Sequence, residues 1–146
     1  MSTRSRIGMV QPDGTIRSIY CHNDGYLSWN GKKLFMHYDT PAKVAGLIEL
    51  GDISALREKL APPKGAKHAF DNPLPDVTSA YMRDRGETDC GFQISPNVEA
   101  FLAINSGQEY SYLFENGKWA VWEKYGDAGN HRQELTLALV TERVTS

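Results

Sequence analysis

An Asn-Gly dipeptide, Asn116-Gly117, lies between two β-prone runs, Tyr110-Ser-Tyr112-Leu-Phe114-Glu before it and Lys118-Trp119-Ala-Val121-Trp122 after it. Asn and Gly accept the positive φ that a two-residue hairpin turn demands at both centres, so this pattern predicts antiparallel pairing. A second signal, Pro12-Asp13-Gly14, separates Ile7, Met9 and Val10 from the β-prone run 15–21. There proline presets φ and glycine takes the positive value that closes the turn. Strands that arrive in tightly joined pairs, without regular strand-helix alternation, disfavour a Rossmann or flavodoxin-like sheet.

Helical spacing is weaker and comes in short pieces. Asn30 reads as the cap of a helix over 32–38 with Leu34, Phe35 and Tyr38 on one face, although Asn30-Gly31 also fits a hairpin turn. Thr40-Pro41 suits an N-cap and first helical position, and Val44, Leu47 and Ile48 follow at helical spacing until Gly51. Asp52 is read as the cap of a further helix over 53–60, stopped by Ala61-Pro62-Pro63. Residues 61–76 form a Pro-rich surface loop, 77–82 are β-prone, and a short edge element is expected around Phe92. Ser95-Pro96 opens a helix that turns Val98, Phe101 and Leu102 inward and ends near Ser106-Gly107. Residues 125–133 read as a polar, Gly-containing loop, and 135–144 as a final strand with helix as the competitor. The sum is a single α+β domain over 1–146: a mainly antiparallel sheet of two hairpins plus additional strands, with three or four short helices packed on one face.

At 146 residues the chain can bury about 70% of its unfolded surface without staples. Sixteen basic against 18 acidic residues give a formal charge of -2. That supplies neither the basic face of a duplex binder nor the dense acidity of a nucleic-acid mimic, so direct nucleic-acid binding is not expected. Cys21 and Cys90 have no C-x-x-C partner and are read as buried free thiols rather than metal or redox pairs. No apolar h-region follows the N-terminal arginines and no apolar run reaches the ~20 residues of a membrane span, which places the expectation in the cytosol.

The most promising chemistry lies where the first hairpin ends. Strand alternation sends Tyr20, His22, Asp24 and Tyr26 to one side, and an imidazole near a carboxylate can act as acid, base or ligand. The competing reading is structural: Asp24-Gly25 as a turn, with His22 closing the strand. Arg83-Asp84-Arg85-Gly86-Glu87 could present two guanidinium groups to phosphate or to an acidic partner, or form a solvated turn of local ion pairs. His22, His37, His68 and His131 are scattered, so no metal site is expected, and no cofactor either, since neither G-x-G-x-x-G, a P-loop nor G-x-S-x-G is present. Tyr110, Tyr112 and Phe114 read as a core stripe in preference to a base-stacking platform. Trp119 and Trp122 have opposite parity, and an exposed Trp122 would mark a partner surface.

Taken in order, Ser5-Arg6-Ile7-Gly8, Asp13-Gly14-Thr15, Ser18-Ile19-Tyr20-Cys21-His22-Asn23-Asp24-Gly25-Tyr26, His37-Tyr38, Leu50-Gly51-Asp52-Ile53-Ser54, Arg83-Asp84-Arg85-Gly86-Glu87 and Tyr110-Ser-Tyr112-Leu-Phe114 resemble a family of small proteins encoded by bacteriophages and prophages. The resemblance spans residues 4–122 and departs at Asn23, where relatives often carry Trp. It implies a genomic context and no catalytic residues. In that context the expectation is an accessory protein that binds and inhibits a host macromolecule, such as an anti-CRISPR-like anti-defence inhibitor acting by surface occlusion. Its interface would use Tyr20, His22, Asp24, Tyr26, Arg83, Asp84, Arg85, Glu87 and Trp122, with a host protein or complex as partner and a homodimer compatible. The alternatives are a small nucleotide-binding protein or nucleotide-processing enzyme using His22 and Asp24 with Arg83 or Arg85 on phosphate, and a structural component of the virion.

Overall fold

A computed structural model of the chain describes residues 3–124 and 131–141. The expected hairpins are both there. β1 (Ser5–Val10) pairs antiparallel with β2 (Ile16–Cys21) across a turn in which Asp13 Oδ1 accepts from the Thr15 N–H at 2.9 Å and from the Thr15 hydroxyl at 2.6 Å. β6 (Tyr110–Glu115) pairs with β7 (Lys118–Glu123), and Asn116 and Gly117 sit at φ 54° and 77°, as a type I′ turn requires.

These hairpins join through a parallel contact between β1 and β6, and shorter strands extend both sides. The order is β4 (Ser79–Ala80), β3 (Ile53–Ala55), β2, β1, β6, β7 and β8 (Gln133–Glu134), with β5 (Gln93–Ser95) also on β2. The sheet is therefore mixed, with antiparallel pairing predominant.

Pleat alternation sorts the side chains into two layers. Ile7, Ile19, Cys21, Tyr112, Phe114, Trp119 and Val121 face a helical layer of α1 (Lys32–His37), α2 (Pro41–Glu49) and α5 (Leu137–Thr141), which contributes Leu34, Val44, Leu47, Ile48 and Val140. The aromatic stripe on β6 is core, as its spacing predicts. Ile16, Leu113, Ala120 and Trp122 face the other way and are closed over by Phe101 of the short helix α4 (Val98–Leu102). Trp122 is only 6% exposed there, so the expectation of a solvent-facing tryptophan does not hold. Both faces of β7 are covered, and the indole is used for packing worth about 2 kcal/mol or more.

Local signals misled at five further places. Asp52 caps no helix: residues 53–55 are β3, and the carboxylate instead takes the Tyr20 N–H at 2.9 Å. Asn30 does not cap α1, which is entered through a π-helical turn, Leu27–Gly31; its buried amide donates to Ser5 Oγ, Cys21 Sγ and the Asn23 carbonyl. The run after 134 is α5 rather than a strand, because Leu137 and Ala138 continue into a hydrogen-bonded turn that buries Val140; positions 142–144 of that run lie outside the described residues, as do 125–130 of the expected Gly-containing loop. Of the two free cysteines, Cys21 is buried but Cys90 is half-exposed. Asn97 caps α4 by accepting from the Ala100 N–H at 2.8 Å, and the helix ends at Leu102, short of Gly107. Among the described residues no helix is long and apolar enough to cross a membrane.

Candidate docking surface

On its α4 side the sheet is covered over β6, β7, Gly8 of β1 and the start of β2. Its other half, over the end of β2 and the strands β3 and β4, carries polar and aromatic side chains. Ile53 and Ala80 point into the helical layer, so the pleat turns Asp52, Ser54 and Tyr81 to the α4 side together with Tyr20.

The outer edge of β2 explains why this corner is rigid. Ile16 to Ser18 pair with β5, and the His22 N–H reaches the Ile53 carbonyl at 3.1 Å. Between these, the Tyr20 N–H would lack a strand partner, and Asp52 Oδ1 fills that gap. Asp52 also donates its own N–H to the Cys90 carbonyl at 2.7 Å and accepts from the Tyr81 N–H at 3.2 Å, tying three segments together. Partial burial raises the Asp52 carboxyl above its usual range, against the Tyr20 N–H and the positive charge of Arg6.

Arg6 lies under this surface. It faces Tyr20 across β1 and β2 and is 1% exposed, held by neutral groups: Ser18 Oγ at 3.0 Å, the Ser18 carbonyl at 3.3 Å and Ser106 Oγ at 3.4 Å. Burial lowers its pKa, and Asp52 acts in the opposite direction from beyond ion-pair distance.

The exit loop of β2 is fixed to the sheet by backbone bonds. Gly25 donates to the Thr3 carbonyl at 2.8 Å and accepts from the Tyr112 hydroxyl at 2.6 Å, while Asn23 Nδ2 donates to the Ser54 carbonyl at 2.9 Å. A Cβ on Gly25 would stand 2.9 Å from Ser5 Cβ and 3.0 Å from the Arg4 carbonyl carbon, so only glycine fits. Asp24 adopts φ 58° and its carbonyl accepts from the Asn30 N–H at 3.1 Å.

On this support the expected quartet divides into two pairs. The Tyr20 hydroxyl meets His22 Nδ1 at 2.7 Å, and the Tyr26 hydroxyl donates to Asp24 Oδ1 at 3.4 Å. His22 and Asp24 thus each have another partner. Burial raises the Tyr20 phenol, with Arg4 opposing and Tyr81 adding to the rise. The imidazole is thereby held beside the Tyr20 ring, with 5.9 Å between the ring centroids.

The segment 83–87 also divides. In α3 (Tyr81–Arg85) Arg83 points down: its guanidinium donates to the Leu60 carbonyl, the Thr78 carbonyl and Asp84. Asp84, 5% exposed as a side chain, accepts from the Ala80 N–H at 2.8 Å and sits 3.3 Å from His68 Nε2. His68 Nδ1 accepts from the Leu74 N–H at 3.0 Å, so the proton lies on Nε2 and the dyad clasps the Pro-rich loop to α3. Arg85 points up, paired with Glu87 and stacked over Phe70 at 4.5 Å and Tyr81 at 5.2 Å.

Tyr20, His22, Tyr81 and Arg85 therefore belong to one surface, whereas Arg83 and Asp84 are structural and Trp122 is core. Arg83 and Arg85 do not converge as a phosphate clamp would require. The sequence reading missed Tyr81, whose parity within 77–82 could have placed it, and Phe70, for which no local signal exists. Among the described residues no group of three or more His, Cys, Asp or Glu could hold a metal ion. No protein-family model matches this chain, and comparisons with curated proteins and with solved structures find no match either.

Proposed function

We propose that this chain is a phage-encoded accessory protein that binds and inhibits a host protein, in the manner of an anti-CRISPR-like anti-defence factor, by laying the surface around Tyr20, His22, Tyr81 and Arg85 over its target. The supporting observation is the half of the sheet that α4 leaves open. Two phenols, an imidazole and a stacked guanidinium stand there on a backbone tied at Asp52 and Gly25, so they are presented without the entropic cost of ordering a loop. Tyrosine and arginine are the side chains that most often dominate interface energetics. The genomic context comes from the resemblance.

The test is affinity capture from bacterial host lysate with the native chain and with the double variant Tyr20→Ala/Tyr81→Ala, beside Ile94→Ser as control, an exposed β5 residue that pairs with Arg17 and so leaves the sheet on the face opposite Tyr20. The reading expects a stoichiometric host protein, retained by the control and reduced at least tenfold by the double variant, since two hot-spot truncations cost about 2 kcal/mol or more. No stoichiometric partner, or equal capture by all three, overturns it.

A further inference from the structure

A second feature lies on the opposite side of the sheet and is independent of that reading. Beside the β6–β7 turn a hollow of about 360 Å³ opens between α1 and β7, walled by Phe35, Trp119 and Leu135 and bordered by Asp39, Lys118 and Glu134. This lies at the lower end of the size range of small-molecule pockets, which pair an apolar wall with a few placed polar groups.

The charges around it are not equivalent. Lys118 alternates with Trp119 along β7, and Glu134 lies opposite Ala120, so both side chains start from the α4 face, where they pair with each other at 3.9 Å. Trp119 and Leu135 belong to the helical side, and there the ionised group is Asp39. Its carboxylate is 58% exposed and holds Lys43 Nζ at 3.3 Å, an exposed pair of the kind that exchanges readily. The hydrogen bond from Lys43 keeps the Asp39 carboxyl below its usual range, so it is charged at neutral pH. The Trp119 indole is already fixed by its Nε1–H on the Tyr38 carbonyl at 2.8 Å and by Phe114 at 5.1 Å between centroids, so the wall is preformed.

We propose that this hollow binds a small organic ammonium with an apolar body, of the arylalkylamine kind. The ammonium replaces Lys43 at Asp39, and the hydrocarbon lies against Phe35, Trp119 and Leu135, with aromatic faces that favour a cation nearby.

The test is an NMR titration of the isotope-labelled chain with three probes of one shape: phenethylamine, 2-phenylethanol and 3-phenylpropionate. The proposal expects saturable shifts at the Trp119 indole N–H and the Phe35 and Leu135 amides, with the amine binding about fivefold tighter than the alcohol and the carboxylate weakest, the ratio an exposed ion pair supports. Asp39→Asn, an exposed substitution whose spectrum reports its own folding, should bring the amine to the alcohol's affinity. Absence of saturable shifts, equal affinity for all three probes, or an amine preference that survives Asp39→Asn each overturns the proposal.

Discussion

Replacing Arg6 in two ways separates packing from charge in the layer beneath the proposed surface. The guanidinium is 1% exposed, forms no ion pair among the described residues, and has Ser18 and Ser106 as its acceptors. Arg6→Ala empties a fully buried site, for which large-to-small substitutions cost about 2–5 kcal/mol, and it strands the Ser18 acceptors. The expected total is about 4 kcal/mol. Arg6→Met refills the stem volume and removes a buried charge that lacks a close counter-charge, so only hydrogen bonds to neutral acceptors are lost, and the expected cost is about 1 kcal/mol. With a urea slope of about 2 kcal/mol per molar, the alanine variant should lower the unfolding midpoint by about 2 M and the methionine variant by about 0.5 M. Equal midpoints for the two variants would refute the reasoning, because they would mean that the charge itself stabilises the fold through Asp52.

Three further outcomes follow from the same contacts. Burial pushes the Asp84 carboxyl up, but the Arg83 hydrogen bond and the Ala80 N–H outweigh it and hold it below the usual range, so its contribution is present above the unfolded value near pH 4 and lost as pH falls further. Asp84→Asn should therefore be about 1–2 kcal/mol less stable than the native chain at pH 7 and approach it below pH 3, checked by chemical unfolding across that range; a constant gap at all pH values contradicts the assignment. Gly25→Ala forces a Cβ to within 2.9 Å of Ser5 and should cost about 1–3 kcal/mol while weakening capture of the host protein, whereas an unchanged melting curve would show the loop to be compliant. Trp122→Ala should cost about 3–5 kcal/mol and Tyr20→Phe less than about 1 kcal/mol by calorimetry, and the reverse order would mean that core and surface have been exchanged.

The hairpins were legible because their turns are decided by four or five adjacent residues: Asn116-Gly117 needs nothing beyond itself to prefer positive φ. Asp52 was misread for the converse reason. A carboxylate before an apolar run is a helix cap only if the next N–H groups are the ones it meets, and here it meets the Tyr20 N–H, 32 residues earlier. Leu135, Leu137 and Leu139 alternate like a strand, yet the last two fall in α5, a difference too short for periodicity to resolve. In the candidate site, parity and adjacency send Tyr20 and His22 to one side, and their side chains do meet, at 2.7 Å. The division of labour between Arg83 and Arg85 was not, because it depends on Leu60, Thr78 and Phe70, contributed by the Pro-rich loop and its flanks. Burial of Arg6 and Trp122 likewise depends on what covers the second face, chiefly α4 and the segment that holds Ser106, which no pattern within β1 or β7 reports.

Hydrogen exchange of the purified complex with its captured host protein reads directly which face of the sheet meets the partner. Slowed exchange confined to 20–26, 52–54 and 79–87 is the predicted footprint. Protection that instead falls on α1, α2 and α5, with those three segments exchanging as in the free chain, would contradict it.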